Sequence, residues 1–113
     1  MPDAFALDPR LAADTLRLGS LKLCEVLLFN DSRFPWLILV PARAGLVEIV
    51  DLNAEDRALL MQEISIASQA LKKVTNCHKL NVAALGNQVR QLHVHVIARF
   101  EADAAWPNPV WGL

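Results

Sequence analysis

The sequence predicts an α+β domain, in which a mostly antiparallel sheet of about five strands carries one long helix, one N-terminal helix and an irregular C-terminal arm. Short apolar runs bounded by Pro, Gly, Asn or Asp are typical of strands. Residues 53–76 instead repeat apolar side chains at helical spacing. The turns between the apolar runs are short, as antiparallel neighbours require. Because 113 residues have room for one core, we expect a single domain over residues 1–113.

The N-terminal third predicts one helix and a hairpin. Asp8 and Pro9 form a cap and a first helical position, and we expect the helix to continue through Leu18 to a stop at Gly19. Residues 20–31 and 34–43 are apolar runs joined by the turn sequence NDSR, so they predict two paired strands. Prolines near both ends of the second run limit its length, because proline cannot donate to a strand ladder.

The remainder predicts the long helix and the rest of the sheet. Residues 45–52 predict a weaker strand or an extended lead-in to the helix. Asn53 is a suitable N-cap for the helix over 53–76, and Asp56 is placed to reach back to it as in a capping box. Residues 78–85 and 89–98 predict two further strands. The tail contains two tryptophans, and we therefore expect it to dock on the body.

Composition and charge exclude several classes of protein. The chain is 54% hydrophobic, so it is not disordered, and the apolar surplus predicts a homodimer. The net charge of −1 provides no basic field, so we expect no nucleic-acid polymer as a partner. Cys24 and Cys77 are isolated and fit reduced packing residues. Neither a membrane span nor a signal peptide is visible, so we expect a cytoplasmic protein without a membrane partner.

Residues 91–97, QLHVHVI, alternate polar and apolar side chains. On a strand with one buried face, Gln91, His93 and His95 would stand in a row on the other face. The two histidines could be surface or interface residues without chemistry. Alternatively, one of them could be a nucleophile toward phosphorus, provided that its second ring nitrogen is held by an acceptor.

A third possibility for the histidine pair is a metal site, since two histidines separated by one residue on a strand can supply two ligands. Such a site needs at least one more ligand. The candidates are His78, Asp31 and Glu48. None of them has a convincing spacing, and we therefore predict no metal and no cofactor.

The QLHVHVI segment resembles the motif of the histidine-triad (HIT) family, His-φ-His-φ-His-φ-φ, with glutamine in place of the first histidine. The resemblance to the family extends beyond residues 91–97. Residues 86–90, GNQVR, resemble the family's run of glycine, two polar residues, valine and a basic residue, and Asn81 precedes Gln91 by ten residues. Residues 29–31 resemble the ribose-contacting segment, and Trp106 with Pro107 resembles the Trp-Pro arm. The match spans residues 20–113 in order, and it implies a HIT-like fold.

The resemblance implies a nucleotide hydrolase or nucleotidyl transferase that needs no metal. His93, as the middle histidine, would attack the α-phosphorus of a nucleotide conjugate, such as a phosphoramidate or a dinucleoside polyphosphate. Water would then resolve the nucleotidyl-histidine. His95 would contact the phosphate or leaving group and assist the proton, and Gln91 would take the supporting place of the first histidine. Because glutamine cannot relay a proton, a nucleotide-binding or sensing protein with a degenerate triad is the alternative.

The resemblance also implies the residues that bind the small-molecule nucleotide. Asn81, Asn87 and Gln88 would donate hydrogen bonds to the phosphate, where charge develops in the transition state. Asp31, in the segment that includes Asn30, would accept hydrogen bonds from the ribose hydroxyls.

Overall fold

The computed structural model describes residues 4–113 and contains one antiparallel sheet with two α-helices. The helices and strands in chain order are α1 (Pro9–Asp14), β1 (Thr15–Ser20), β2 (Cys24–Phe29), β3 (Trp36–Pro41), α2 (Ala54–Thr75), β4 (Lys79–Ala83) and β5 (Val94–Arg99). The strand order is β1-β2-β3-β5-β4, and every neighbouring pair is antiparallel. The predicted α+β class, with five strands, one long helix and one short N-terminal helix, is confirmed.

The N-terminal helix is shorter than predicted. It ends at Asp14 instead of continuing through Leu18, and residues 15–20 form the edge strand β1. Thr15 is already extended, and the strand pairs with β2 from Thr15 opposite Phe29 to Ser20 opposite Glu25. Leu16 and Leu18 are two residues apart, which is a strand spacing rather than a helical one. Pairing with β2 therefore decides the conformation of this segment.

Two other predicted strands differ from the observed ones. Residues 45–52, predicted as a weaker strand or an extended lead-in, contain no strand, and Ile49–Asp51 form a single 3₁₀ turn. The strand predicted over 89–98 begins only at Val94, so residues 89–93 form an irregular approach to β5. The backbone N–H of Leu92 donates to the Leu46 carbonyl at 3.0 Å, outside the sheet ladder. This bond diverts the chain before the strand begins.

The long helix α2 forms where the sequence predicts it. The Asn53 side chain accepts from the Asp56 N–H at 2.8 Å, and the helix ends at Thr75, where Asn76 follows in the left-handed conformation. The expected capping box is not formed by Asp56, because its carboxylate accepts from the Arg43 guanidinium at 3.1 Å. Buried Glu63 accepts from the N–H groups of Leu23 and Cys24 at 2.9 and 2.8 Å, which ties α2 to the start of β2.

Each face of the sheet has its own core. On one face, α2 packs Leu60, Ala67 and Leu71 against β3 and β5. On the other face, Trp36 and Ile97 pack against buried residues of α1 and of the C-terminal arm, residues 100–113. Both ends of the described chain therefore partly cover this second face.

Buried Arg99 holds the C-terminal arm in place. Its Nε and Nη2 donate to the Asp103 carboxylate at 2.7 and 3.1 Å, and Nη2 also donates to the Asn108 carbonyl at 2.7 Å. Nη1 donates to Asn81 Oδ1 at 2.8 Å. The Arg99 and Asp103 side chains are only 2% and 4% exposed, and the guanidinium lies over the Trp106 ring at 5.6 Å. The arm is irregular, as predicted, and it docks through a buried ion pair.

Candidate active site

His93 and His95 are adjacent at the start of β5. His93 is the residue immediately before the strand, and His95 is its second residue. Their ring centroids are 4.9 Å apart with an interplanar angle of 70°, and both residues are buried. Although His93 lies outside the regular strand, the two imidazoles meet as the alternation predicts.

The main chain holds His93 in one tautomer. Its Nδ1 lies 2.7 Å from the carbonyl oxygen of Gln91. A carbonyl oxygen can only accept a hydrogen bond, so Nδ1 carries the proton. The lone pair of neutral His93 is therefore on Nε2, as a nucleophilic histidine requires.

His95 is held in the opposite tautomer. The indole N–H of Trp36 donates to His95 Nδ1 at 3.0 Å, so the proton of the neutral ring is on Nε2. Burial, and secondarily the charge of His93, lowers the pKa of His95 to about 4. When both rings are neutral, the pair therefore consists of one ring with a free Nε2 lone pair and one with an Nε2–H donor.

The side chain of Gln91 is engaged away from the two imidazoles. Its Oε1 accepts from the Asp8 N–H and its Nε2 donates to the Ala6 carbonyl, both at 2.8 Å. The amide thus fixes the segment that precedes α1. What Gln91 offers to His93 is its main-chain carbonyl, which any residue at this position possesses.

Asn30 and Asp31 line a cavity of about 320 Å³ at the turn between β2 and β3. The Asp31 carboxylate accepts from the Arg33 guanidinium at 2.7 and 3.0 Å and from its N–H at 2.9 Å. The hydrogen bond from the guanidinium is the main reason why the pKa of Asp31 is lowered. Asp31 is therefore an ionised acceptor at the rim of a cavity.

The other predicted binding residues are not gathered into one cluster. Asn81 lies on β4, and its Oδ1 is bound by Arg99. Asn87 and Gln88 are exposed in the turn that follows Gly86, whose φ is +74°. A second cavity, of about 250 Å³, connects this turn to His93. It is lined by Val47, Glu48, Ile49, Val50, Ala84, Leu85, Gly86, Gln91, Leu92 and His93.

Sequence reasoning missed two aromatic residues that contact His95. The centroid of the His95 ring lies 5.6 Å from that of Trp36 and 5.1 Å from that of Trp111. A buried tryptophan needs an acceptor for its N–H, and this requirement was the one available signal for Trp36. Trp111 was expected to dock, but its position over His95 depends on how the arm folds.

Residues 4–113 contain neither a cluster of metal ligands nor a membrane-spanning helix. In this part of the chain, no three side chains among His, Cys, Asp and Glu are grouped as metal ligands would be. No helix within the same range is long and apolar enough to cross a membrane.

Comparisons with known proteins agree with the motif. The HIT domain model matches residues 10–102. A histidine triad protein from Bradyrhizobium japonicum superposes with a TM-score of 0.96 at 56% identity, covering 97% of this chain and 82% of that one. A histidine triad protein from Sinorhizobium meliloti 1021 superposes with a TM-score of 0.95 at 53% identity, covering 96% of this chain and 81% of that one. A histidine triad protein from Marinobacter aquaeolei VT8 superposes with a TM-score of 0.95 at 50% identity, covering 97% of this chain and 80% of that one.

A comparison with curated proteins gave no significant match. The family model nevertheless covers most of the chain, and the three solved structures are 50% to 56% identical to it over the aligned positions. The protein belongs to the HIT domain family.

Proposed function

We propose that the protein hydrolyses or transfers the nucleotidyl group of a nucleotide conjugate, of the phosphoramidate or dinucleoside polyphosphate type, through a covalent intermediate on His93. The HIT family as a class consists of nucleotide-binding hydrolases and transferases. The observation that carries the proposal is the pair of adjacent imidazoles in opposite tautomers. One ring offers a lone pair to phosphorus and the other an N–H donor to the leaving group, and displacement at phosphorus uses both kinds of group.

In the first step, His93 Nε2 attacks the α-phosphorus, and the bond from phosphorus to the leaving nitrogen or oxygen breaks. The N–H of His95 Nε2 donates a hydrogen bond to the leaving atom, which takes up its proton from solvent. In the second step, water attacks the phosphorus and the P–N bond to His93 breaks. The water loses its proton to solvent, and the mononucleotide is released. Both rings keep their tautomers throughout.

The binding residues follow from the same proposal. Asp31 accepts from the ribose hydroxyls with its ionised carboxylate, beside Asn30 at the rim of the cavity between β2 and β3. Asn81 has Oδ1 bound by Arg99, which orients its side-chain N–H₂ as the free end for a phosphate oxygen. Asn87 and Gln88 are the remaining amide donors, on the turn beside His93.

Gln91 occupies the place of the first histidine in this proposal and acts as a positioning residue. Its carbonyl holds the His93 tautomer, and its side chain fixes the preceding segment through Asp8 and Ala6. Neither contact requires proton transfer by residue 91. A glutamine at this position is therefore compatible with turnover.

The direct test is incubation with adenosine 5′-phosphoramidate and, separately, diadenosine polyphosphates. We expect release of the mononucleotide, and a rapid alkaline quench should trap a protein adduct one nucleotidyl group heavier. Because phosphorus-linked histidine is labile in acid and stable in alkali, the adduct should survive base and disappear in acid. Binding of a mononucleotide without turnover of any conjugate would contradict the enzymatic proposal and favour a sensing protein.

Two copies of the protein are proposed to pair through the β4 edge and the adjoining surface of α2. Val82 and Leu85 are 46% and 40% exposed at this edge, and Ile66 on α2 is 53% exposed. An unpaired edge strand offers its backbone groups to a second chain. Sedimentation should give a species about twice 12.5 kDa, and Val82→Lys should shift it toward the monomer.

The opposite edge provides a matched control for the dimer. Leu16 on β1 is 66% exposed, and Leu16→Lys adds the same charge to the other edge of the sheet. We expect it to leave the association state unchanged. A wild-type protein that sediments only at 12.5 kDa at micromolar concentration would refute the dimer.

A further inference from the structure

Trp36 is buried beside His95 and held there from several sides. It is 5% exposed, and its ring centroid lies 4.4 Å from that of Phe29, 6.4 Å from that of Phe34 and 5.8 Å from that of Trp111. In this packing the indole has little freedom to turn its N–H elsewhere. The single polar group of the side chain is thus directed at His95 Nδ1.

Strand register brings the two residues together. In the antiparallel pair of β3 and β5, Ile38 lies opposite His95 and Trp36 lies opposite Ile97. Trp36 and His95 are therefore diagonal neighbours on the same face, within reach of an aromatic side chain. The contact depends on central strands rather than on a loop, which makes it a fixed part of the site.

The hydrogen bond permits one protonation state of His95. An indole nitrogen only donates, so an imidazole nitrogen facing it at 3.0 Å must carry a lone pair. Moving the proton to Nδ1, or adding a second proton there, would oppose two N–H groups and break the bond. Trp36 therefore favours the neutral ring with hydrogen on Nε2.

We propose that Trp36 is a positioning residue that holds His95 as a neutral Nε2–H donor aimed at the leaving group. The catalytic part of this statement rests on the proposed function, whereas the tautomer assignment does not. The positions of the protons on both rings are then fixed without the first histidine of the triad motif, which Gln91 replaces. The Gln91 carbonyl fixes His93, and the Trp36 indole fixes His95.

Among the neighbours of His95, Trp36 is the one that can fix the tautomer of its ring. Among the described residues, the titratable side chain packed against His95 is His93. Ala83 and Ile38 flank it in the sheet, and Trp111 covers it from the arm. None of these three side chains can titrate. Removing the Trp36 N–H should therefore raise the pKa of His95 from about 4 and release its tautomer.

The test compares the wild type with Trp36→3-benzothienylalanine, which replaces the indole N–H by sulfur in a ring of nearly the same shape, and with Trp36→Phe. Tautomer and titration are read by nitrogen-15 NMR of labelled histidine. Wild-type His95 should carry its proton on Nε2 and stay neutral to about pH 4. Both variants should show a mixture of tautomers and a raised titration midpoint.

Turnover is measured on the same proteins with the nucleotide conjugates named above. We expect kcat to fall about 10- to 100-fold with little change in KM, less than the 10²–10⁴-fold that a complete general-acid contribution supplies. Trp111→Phe is the matched control, because it alters an aromatic contact with His95 but leaves the N–H bond to Nδ1 intact. This variant should keep the wild-type tautomer and titration midpoint.

The outcomes separate the two proposals. An unchanged tautomer and titration in the benzothienyl variant would overturn the role of Trp36, whatever the activity. A released tautomer with wild-type kcat would overturn its catalytic consequence. A released tautomer in a protein that turns over no conjugate would refute the proposed function and leave the positioning role standing.

Discussion

Replacing His93 with alanine is expected to reduce turnover to background while nucleotide binding persists. The change removes the Nε2 lone pair that attacks phosphorus, and no other group of the pair can replace it, because His95 presents an N–H. Loss of a nucleophile costs on the order of 10⁴- to 10⁶-fold in kcat in enzymes that use one. Steady-state kinetics and calorimetric titration with the mononucleotide would measure the two effects separately.

The third histidine of the chain provides the control for that experiment. His78 lies next to Trp106 at 5.2 Å and is half exposed, at the other end of the β4–β5 pair. His78→Ala removes the same side chain from outside the site and should retain wild-type turnover. Undiminished turnover by a purified His93→Ala protein would exclude the covalent route.

Replacing Arg99 with methionine should cause the largest loss of stability. Methionine preserves much of the side-chain volume but leaves the Asp103 carboxylate without its guanidinium in a site that is 4% exposed. Removing one member of a buried ion pair costs about 3–5 kcal/mol in the free energy of unfolding. The bonds to Asn81 and to the Asn108 carbonyl are lost as well. Chemical denaturation followed by circular dichroism would measure the loss.

An exposed ion pair gives the comparison for Arg99. Arg17 donates to Glu25 at 2.8 Å, but its side chain is 56% exposed. Arg17→Met should cost no more than about 1 kcal/mol, because water screens exposed pairs. If the two arginine variants lose equal stability, the Arg99 ion pair does not hold the arm as described.

The same ion pair makes stability depend on pH in the acid range. The Arg99 guanidinium, together with three backbone N–H groups, holds the pKa of the Asp103 carboxyl well below its usual range. A carboxyl whose pKa is depressed by folding stabilises the native state above its unfolded pKa of about 3.9, and the contribution is lost as the pH falls below that value. The difference between wild type and Arg99→Met should therefore shrink on acidification.

The histidine pair could be predicted from the sequence because its signal is local. Alternation over QLHVHVI places His93 and His95 on one side of the chain, and their rings do meet at 4.9 Å. The long helix was equally readable, since its cap and its apolar stripe both lie within residues 53–76. Local periodicity and capping depend on neighbours in sequence, so they can be recognised without knowledge of the fold.

The features that the sequence did not predict depend on contacts between residues that are distant in the chain. The partner of Trp36 is 59 residues away, and the Gln91 amide binds Asp8 and Ala6 at separations of 83 and 85. Neither pairing leaves a pattern in the sequence near either residue. For β1, the same spacing of Leu16 and Leu18 was assigned to a helix because the pairing with β2 was not visible. Tertiary contacts decide such segments.

The indoles around His95 also give the protein an optical property. Trp36 and Trp111 both contact the imidazole, whereas Trp106 packs on Arg99 and His78. A positively charged imidazole in contact with an indole quenches its fluorescence, while a neutral one quenches it much less. Two of the three emitters therefore report the charge of His95 in the unlabelled protein. Excited near 295 nm, the protein supplies its own probe of the site, and Trp106→Phe removes the emission of the indole that contacts His78 instead.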